Sequence, residues 1–127
     1  MKLIKPSFEI WEQPSGLEGV YKQIERAGRI CYKSEDKITE DSAKSFVDRM
    51  IKSGHGAMLE HGTVYLKVFN VIENFELIDK YKSNKYSAVK EGTEVYNCHG
   101  DILYGSCKCI TTNYRVLVEN GWVDDLK

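Results

Sequence analysis

Apolar residues at helical spacing mark two segments of the chain. Leu17, Val20, Tyr21, Ile24, Ala27 and Cys31 lie three to four residues apart on one stripe, the pattern of a helix that buries one face. Pro14-Ser15-Gly16 breaks the chain ahead of it, and Ser15 followed by Glu18 predicts a capping box. Lys22, Glu25, Arg26 and Arg29 are assigned to its polar face. Ala43, Phe46, Val47, Met50 and Ile51 repeat the stripe in a second helix. Thr39 is the expected cap of that helix, Glu40 and Asp41 suit its positive end, and Gly54 suits the left-handed residue that stops it.

Alternating positions predict strands. Ile4, Phe8 and Ile10 alternate with Ser7, Glu9 and Glu12, which reads as a first strand at a sheet edge because of Pro6. Thr63 to Phe69 is rich in β-formers, with Val64, Leu66 and Val68 on one face and Tyr65, Lys67 and Phe69 on the other. Ile72, Phe75, Ile78 and Asp79, with a Glu76–Lys80 pair, predict a third, shorter helix. Short strands are expected at Glu94–Tyr96, Asp101–Tyr104 and Lys108–Thr111, separated by turn signals at Asn97–Gly100 and Gly105-Ser106. The segment from Thr111 onward fits two readings: a hairpin turning at Asn120-Gly121, or a helix capped by Thr112 and stopped near Gly121. The fold class is α/β of the α+β type, with a mixed or antiparallel sheet packed against helices 17–31 and 40–53. Residues 1–127 are expected to form one domain, or part of one, long enough to bury a core.

Composition narrows the function classes. An apolar fraction of 42% and a charged fraction of 29% belong to a folded soluble protein. A net charge of -1 gives no general reason to expect nucleic acid or an anionic membrane as partner. Lys80, Lys82 and Lys85 interleave with Tyr81 and Tyr86, a pattern that grips phosphate and is equally that of a solvated turn. There is no membrane-length apolar run and no secretory leader, so a cytoplasmic location is expected. The four cysteines, Cys31, Cys98, Cys107 and Cys109, are then expected as thiols.

Candidate chemistry concentrates in Ser53–Leu66, which carries His55, Glu60 and His61 among three glycines at a helix-to-strand junction. A bent loop can bring two imidazoles and a carboxylate together for proton transfer, metal ligation or contact with a flat cofactor; His61 also reads as a satisfied histidine at the foot of a strand. A zinc site using His55, His61, Cys98, His99, Cys107 and Cys109 is an alternative, although C-x-C spacing suits zinc poorly.

Gly54-His55-Gly56-Ala57-Met58-Leu59-Glu60-His61 followed by a strand resembles the first signature of the flavin-dependent thymidylate synthases, the thymidylate synthase-complementing proteins. Ala27-Gly-Arg-Ile-Cys-Tyr32, the helix at 39–53 and Ile110-Thr-Thr-Asn-Tyr-Arg115 are similar to the same family, and the last of these begins a helix there. The resemblance covers most of 1–69 and 108–127. It implies an enzyme that converts dUMP to dTMP with methylenetetrahydrofolate, FAD and NADPH, as a homotetramer with active sites shared between chains. It implies FAD contacts at His55, Ala57 and Glu60. Gly56 often corresponds to an acidic residue in the family and Ala57 to Ser or Thr, so a hydroxyl contact is missing here. The family's Arg-His-Arg nucleotide-binding motif has no counterpart, since the chain contains no Arg-His dipeptide. The expectation is therefore an N-terminal part of such an enzyme, inactive alone and homo-oligomeric, with no catalytic residue and no metal ligand of its own. A non-catalytic structural or interaction module on the same fold is the alternative from another class.

Overall fold

A computed structural model describes residues 3–68, 73–98 and 101–126, excluding the side chains of 91–98 and 101–107. Helix α1 spans Gly16–Cys31 and α2 spans Ser42–Lys52. A short turn of helix, α3 (Gly56–Leu59), leads into strand β1 (Thr63–Val68). Helix α4 (Phe75–Lys82) precedes two long strands, β2 (Ala88–Cys98) and β3 (Asp101–Asn113), and α5 (Tyr114–Asn120) follows directly. The architecture is α+β, as its sequence pattern predicts. The sheet is antiparallel, in the order β1-β3-β2.

The stripes of α1 and α2 meet in one core. Val20, Ile24, Phe46, Val47 and Met50 pack with Leu59, Val64, Val68, Ile78, Tyr81, Ile110, Tyr114 and Leu117. Gly28 lets the helices approach, because a Cβ there would lie 2.5 Å from the Phe46 ring. The polar face assigned to α1 needs a correction. Glu25 and Arg29 are buried, joined by a 3.2 Å ion pair, and the Ser42 hydroxyl of α2 donates to Glu25 at 2.9 Å. Arg29 also lies 4.7 Å from the Phe46 ring centre. The pair, one turn apart on α1, is thus linked to the first turn of α2.

Several other expectations are overturned. Residues 3–14 form no strand; Leu3, Ile4, Phe8 and Ile10 stand exposed. Trp11 instead rests 4.3 Å from the Arg26 guanidinium, and the Gln13 side chain bonds to β1. Alternation supplies a strand's pattern but not the partner a strand needs. Ser15 occupies the N-cap position of α1 with no side-chain cap bond, and α2 begins at Ser42 with Asp41 at the cap. The Ser42 hydroxyl, not a Thr39 side chain, ties that turn by accepting from the Thr39 N–H at 2.8 Å. Cys31 and Ile51 are exposed rather than in the core stripes, and Tyr65 stands out on the less buried face of β1.

The three short strands predicted after residue 93 are parts of one hairpin. Gly105 pairs with Glu94 and Ser106 with Thr93, so the supposed turn lies inside β3. The third helix starts at Phe75, and Lys80 pairs with Asp125 at 2.7 Å. In the lysine–tyrosine run, Tyr81 is fully buried with its hydroxyl donating to Asp125 at 2.7 Å, whereas Lys82, Lys85 and Tyr86 are exposed. Phe69, Ile72, His99 and Gly100 lie outside the described residues. Among the described residues, no helix is long and apolar enough to cross a membrane.

The C-terminal segment is helical, which settles the two open readings against the hairpin. Its cap is Asn113, whose side chain accepts from the Val116 N–H at 3.2 Å. Thr112, the expected cap, is the last but one residue of β3, with its hydroxyl 2.9 Å from that of Ser87. Gly121 ends α5 with φ +73°, a conformation that favours glycine. Gly54 ends the turn after α2 in the same conformation.

Candidate functional site at the α3 junction

The loop from Ser53 to Gly62 is held from three sides. Its entry is tied to α2 by the His55 N–H, which donates to the Met50 carbonyl at 3.0 Å. Leu59 anchors its middle in the core. Its exit lies flat on α1, since a Cβ on Gly62 would come within 2.7 Å of Val20 and 2.8 Å of Ile24. The Gly62 carbonyl then accepts from the Tyr114 N–H at 2.8 Å, which joins the loop to the first turn of α5. A buried scaffold thus carries an exposed rim. His55, Ala57 and Glu60 all lie on that rim.

Two side chains orient the rim, and sequence reasoning missed both. Tyr32, at the C-terminal cap of α1, hydrogen-bonds through its hydroxyl to Nδ1 of His55. The two rings sit 6.0 Å apart at 42°. Arg115, in the first turn of α5, donates from Nη1 to Glu60 Oε1 at 3.0 Å and from Nε to Glu119 Oε1 at 2.8 Å. Its guanidinium crosses directly over Gly56, where a Cβ would meet Nε at 2.8 Å. The bonds to Glu119 and then to Glu60 favour the charged form and push the Arg115 pKa up, so it is a fixed cation here.

The absence of a side chain at Gly56 and the cation at Arg115 are therefore two halves of one feature. Residues 27–32 and 110–115 carry the family likeness read from sequence, and their partners here are His55 and Glu60. A tyrosine ending one such stretch and an arginine ending the other were the only signals available.

The structure does not gather the three polar residues of the loop into one cluster. His55 is drawn to Tyr32 and Glu60 to Arg115, while His61 is exposed and its side chain makes no hydrogen bond among the described residues. The reading of His61 as a satisfied, packed histidine is thereby excluded. Cys31 and Cys109 are exposed thiols. Among the described residues no group of three His, Cys, Asp or Glu side chains is arranged to hold a metal, and His99 and the Cys98 and Cys107 side chains lie outside them.

Beside Glu60 and Arg115 is a polar cleft of about 120 Å³, closed by Tyr86, Asn113, Val116 and Glu119. That is well below the roughly 300–1,000 Å³ of a site that encloses a drug-sized ligand. The cleft is too small to surround a drug-sized ligand, and His55, Ala57 and Glu60 lie exposed on the rim.

Comparison with known proteins gives a partial likeness. Over 60 residues, 46% of this chain, the sequence is 35% identical to a flavin-dependent thymidylate synthase of Corynebacterium aurimucosum. The matched stretch spans 24% of that protein, about a quarter of its length. No family model matches the chain, and no solved structure matches it. The likeness extends to a flavin-dependent thymidylate synthase in part.

Proposed function

We propose that this chain carries the flavin-facing wall of a flavin-dependent thymidylate synthase, with His55, Ala57 and Glu60 against FAD. The observation that supports the reading best is the exposed rim itself. Its polar groups are turned outward and oriented by Tyr32 and Arg115, on a chain whose likeness is to such an enzyme.

The residues fit a flat ring system in kind. His55 offers an imidazole already aligned by one hydrogen bond, with its other nitrogen left for a ligand. Ala57 is small and exposed, so backbone can approach closely, although no hydroxyl is available there. Glu60 has one oxygen on Arg115 and a second left to accept from a ligand N–H or O–H.

In such an enzyme the flavin supplies hydride transfer. These residues would bind and orient it, while dUMP, methylenetetrahydrofolate and NADPH would meet groups elsewhere in an assembled homo-oligomer. Titration of the purified chain with FAD, followed by quenching of flavin fluorescence, tests the reading. Saturable binding is expected, weakened about 10-fold or more in His55→Ala and Glu60→Gln, as for loss of a hydrogen bond involving a charged or aligned group. No binding, or binding indifferent to both substitutions, would overturn it.

A further inference from the structure

His55 has one ring nitrogen left for a ligand, and its neighbour Tyr32 decides what that nitrogen carries. Both residues hang from a fixed backbone. The Tyr32 N–H donates to the Gly28 carbonyl at 3.0 Å. The chain then turns through Lys33 at φ +52°, and the Ser34 N–H closes on the Arg29 carbonyl at 2.8 Å. His55 is held by its N–H on Met50 and by its carbonyl, which accepts from the Met58 N–H at 3.2 Å. The bond between the Tyr32 hydroxyl and Nδ1 therefore joins two side chains whose roots are already placed.

Chemistry gives this bond a direction. A phenol is a weak acid whose oxygen lone pair is drawn into the ring, so it donates well and accepts poorly. An unprotonated imidazole nitrogen is a base and accepts well. The Tyr32 hydroxyl thus donates and Nδ1 accepts, which leaves the single proton of the neutral ring on Nε2. The same bond fixes the ring's orientation, which is otherwise free among the staggered χ1 wells and to flip about χ2. Among the described residues, Tyr32 makes no second side-chain hydrogen bond and Nε2 makes none.

We infer that Tyr32 is a positioning residue that holds His55 as the Nε2–H tautomer, so that the rim meets its ligand with a hydrogen-bond donor at His55. The ligand atom there is an acceptor, either a carbonyl oxygen or an unprotonated ring nitrogen. At Glu60 the polarity is reversed, because the carboxylate oxygen left by Arg115 only accepts. An isoalloxazine carries both kinds of group, and this part of the inference rests on the flavin reading proposed above. The tautomer does not rest on it.

The test uses the full 127-residue chain. Long-range proton–nitrogen correlation spectra tell protonated from unprotonated ring nitrogens, at about pH 8.5 where imidazole is ordinarily neutral. His55→Ala assigns the signals, and His61, exposed and without a hydrogen bond among the described residues, is the internal reference. The Nδ1–H form of His55 is expected to be about 5-fold rarer than that of His61, the weight of one hydrogen bond. Tyr32→Phe should bring His55 to the His61 level, with circular dichroism and melting unchanged because the side chain is half exposed. FAD titration then reads the orientation: Tyr32→Phe should weaken binding about 3-fold by freeing the ring. In a His55→Gln background it should cost nothing, since glutamine keeps an N–H near the Nε2 position and has no atom at Nδ1 for Tyr32 to hold. A proton on Nδ1, or tautomers unmoved by Tyr32→Phe, overturns the inference. An equal cost of Tyr32→Phe in both backgrounds overturns it too. Failure to bind FAD at all would overturn the flavin reading, and the tautomer measurement would still decide the role of Tyr32.

Discussion

Replacing Gly56 by alanine would bring a methyl group within 2.8 Å of Arg115 Nε and 3.1 Å of its Cζ. The obstacle is the far end of a flexible side chain, so the guanidinium swings aside and the fold stays intact. Gly56 does not have a positive φ, and alanine is the better helix former at the start of α3. Gly56→Ala is thus expected to leave the melting temperature unchanged, to release Glu60 from Arg115, and to weaken FAD binding as Arg115→Ala does. A thermal melt beside a flavin titration checks this. A second residue-scale effect concerns Tyr114, which is buried, 3.5 Å from the Tyr21 hydroxyl and influenced by Asp48. Burial first, then the Tyr21 hydrogen bond, pushes its pKa well above the usual value of 10.0. The raised folded value means the native state keeps a proton that the unfolded chain releases. The stabilisation is full below pH 10 and is lost as pH rises above it. Urea melts at pH 9 and pH 11 should show a fall in stability that is smaller in Tyr114→Phe, provided Tyr81, shifted the same way by burial and Asp125, is left in place.

At the level of elements, the start of α5 depends on one side chain. Asn113 ends β3 and at once caps the helix that bears Arg115. Asn113→Ala should cost about 1 kcal/mol, measured as a lower urea midpoint with an unchanged slope, and should loosen Arg115 from Glu60. The same junction shows why some elements were legible and others were not. α1 and α2 follow from periodicity because their burial is one-sided and local in sequence. The cap of α5 was misplaced by one residue, since Thr112 and Asn113 are equally good cap formers. What decides between them is that β1 pairs with β3 up to Asn113 and Ser87 reaches Thr112, both long-range facts. Gly105-Ser106 looked like a turn for the same reason: ladder partners 11 and 13 positions away in sequence, Glu94 and Thr93, override a local preference. Residues 4–12 failed in the opposite direction, with a strand's alternation and no ladder partner among the described residues. At the candidate site, the family resemblance singled out His55, Ala57 and Glu60, and the structure shows all three exposed on one loop. Tyr32 and Arg115 were not singled out, because only the tertiary contacts reveal their partners.

At the scale of the whole molecule, the arginines limit what the chain does by itself. The sequence has four of them, Arg26, Arg29, Arg49 and Arg115. Arg29 is buried against Glu25, and Arg26 lies over Trp11. Arg49 lies 5.8 Å from the Phe46 ring centre, and Arg115 is divided between two carboxylates. A nucleotide phosphate is bound best by paired, uncommitted guanidinium forks, and Arg115, which crosses the rim, is committed to Glu60 and Glu119. Its charge is already exceeded by Glu60 and Glu119, so the rim is no attractive place for the phosphate of dUMP. The purified chain is therefore expected to form no thymidylate from dUMP, methylenetetrahydrofolate, FAD and NADPH, and to show no saturable dUMP binding. Release of tritium from labelled dUMP reports the first and calorimetric titration the second. FAD binding without dUMP binding would match the proposed wall, which meets the flavin and holds no phosphate site of its own. Saturable dUMP binding lost in Arg115→Ala would show instead that the guanidinium can leave Glu60 for a phosphate.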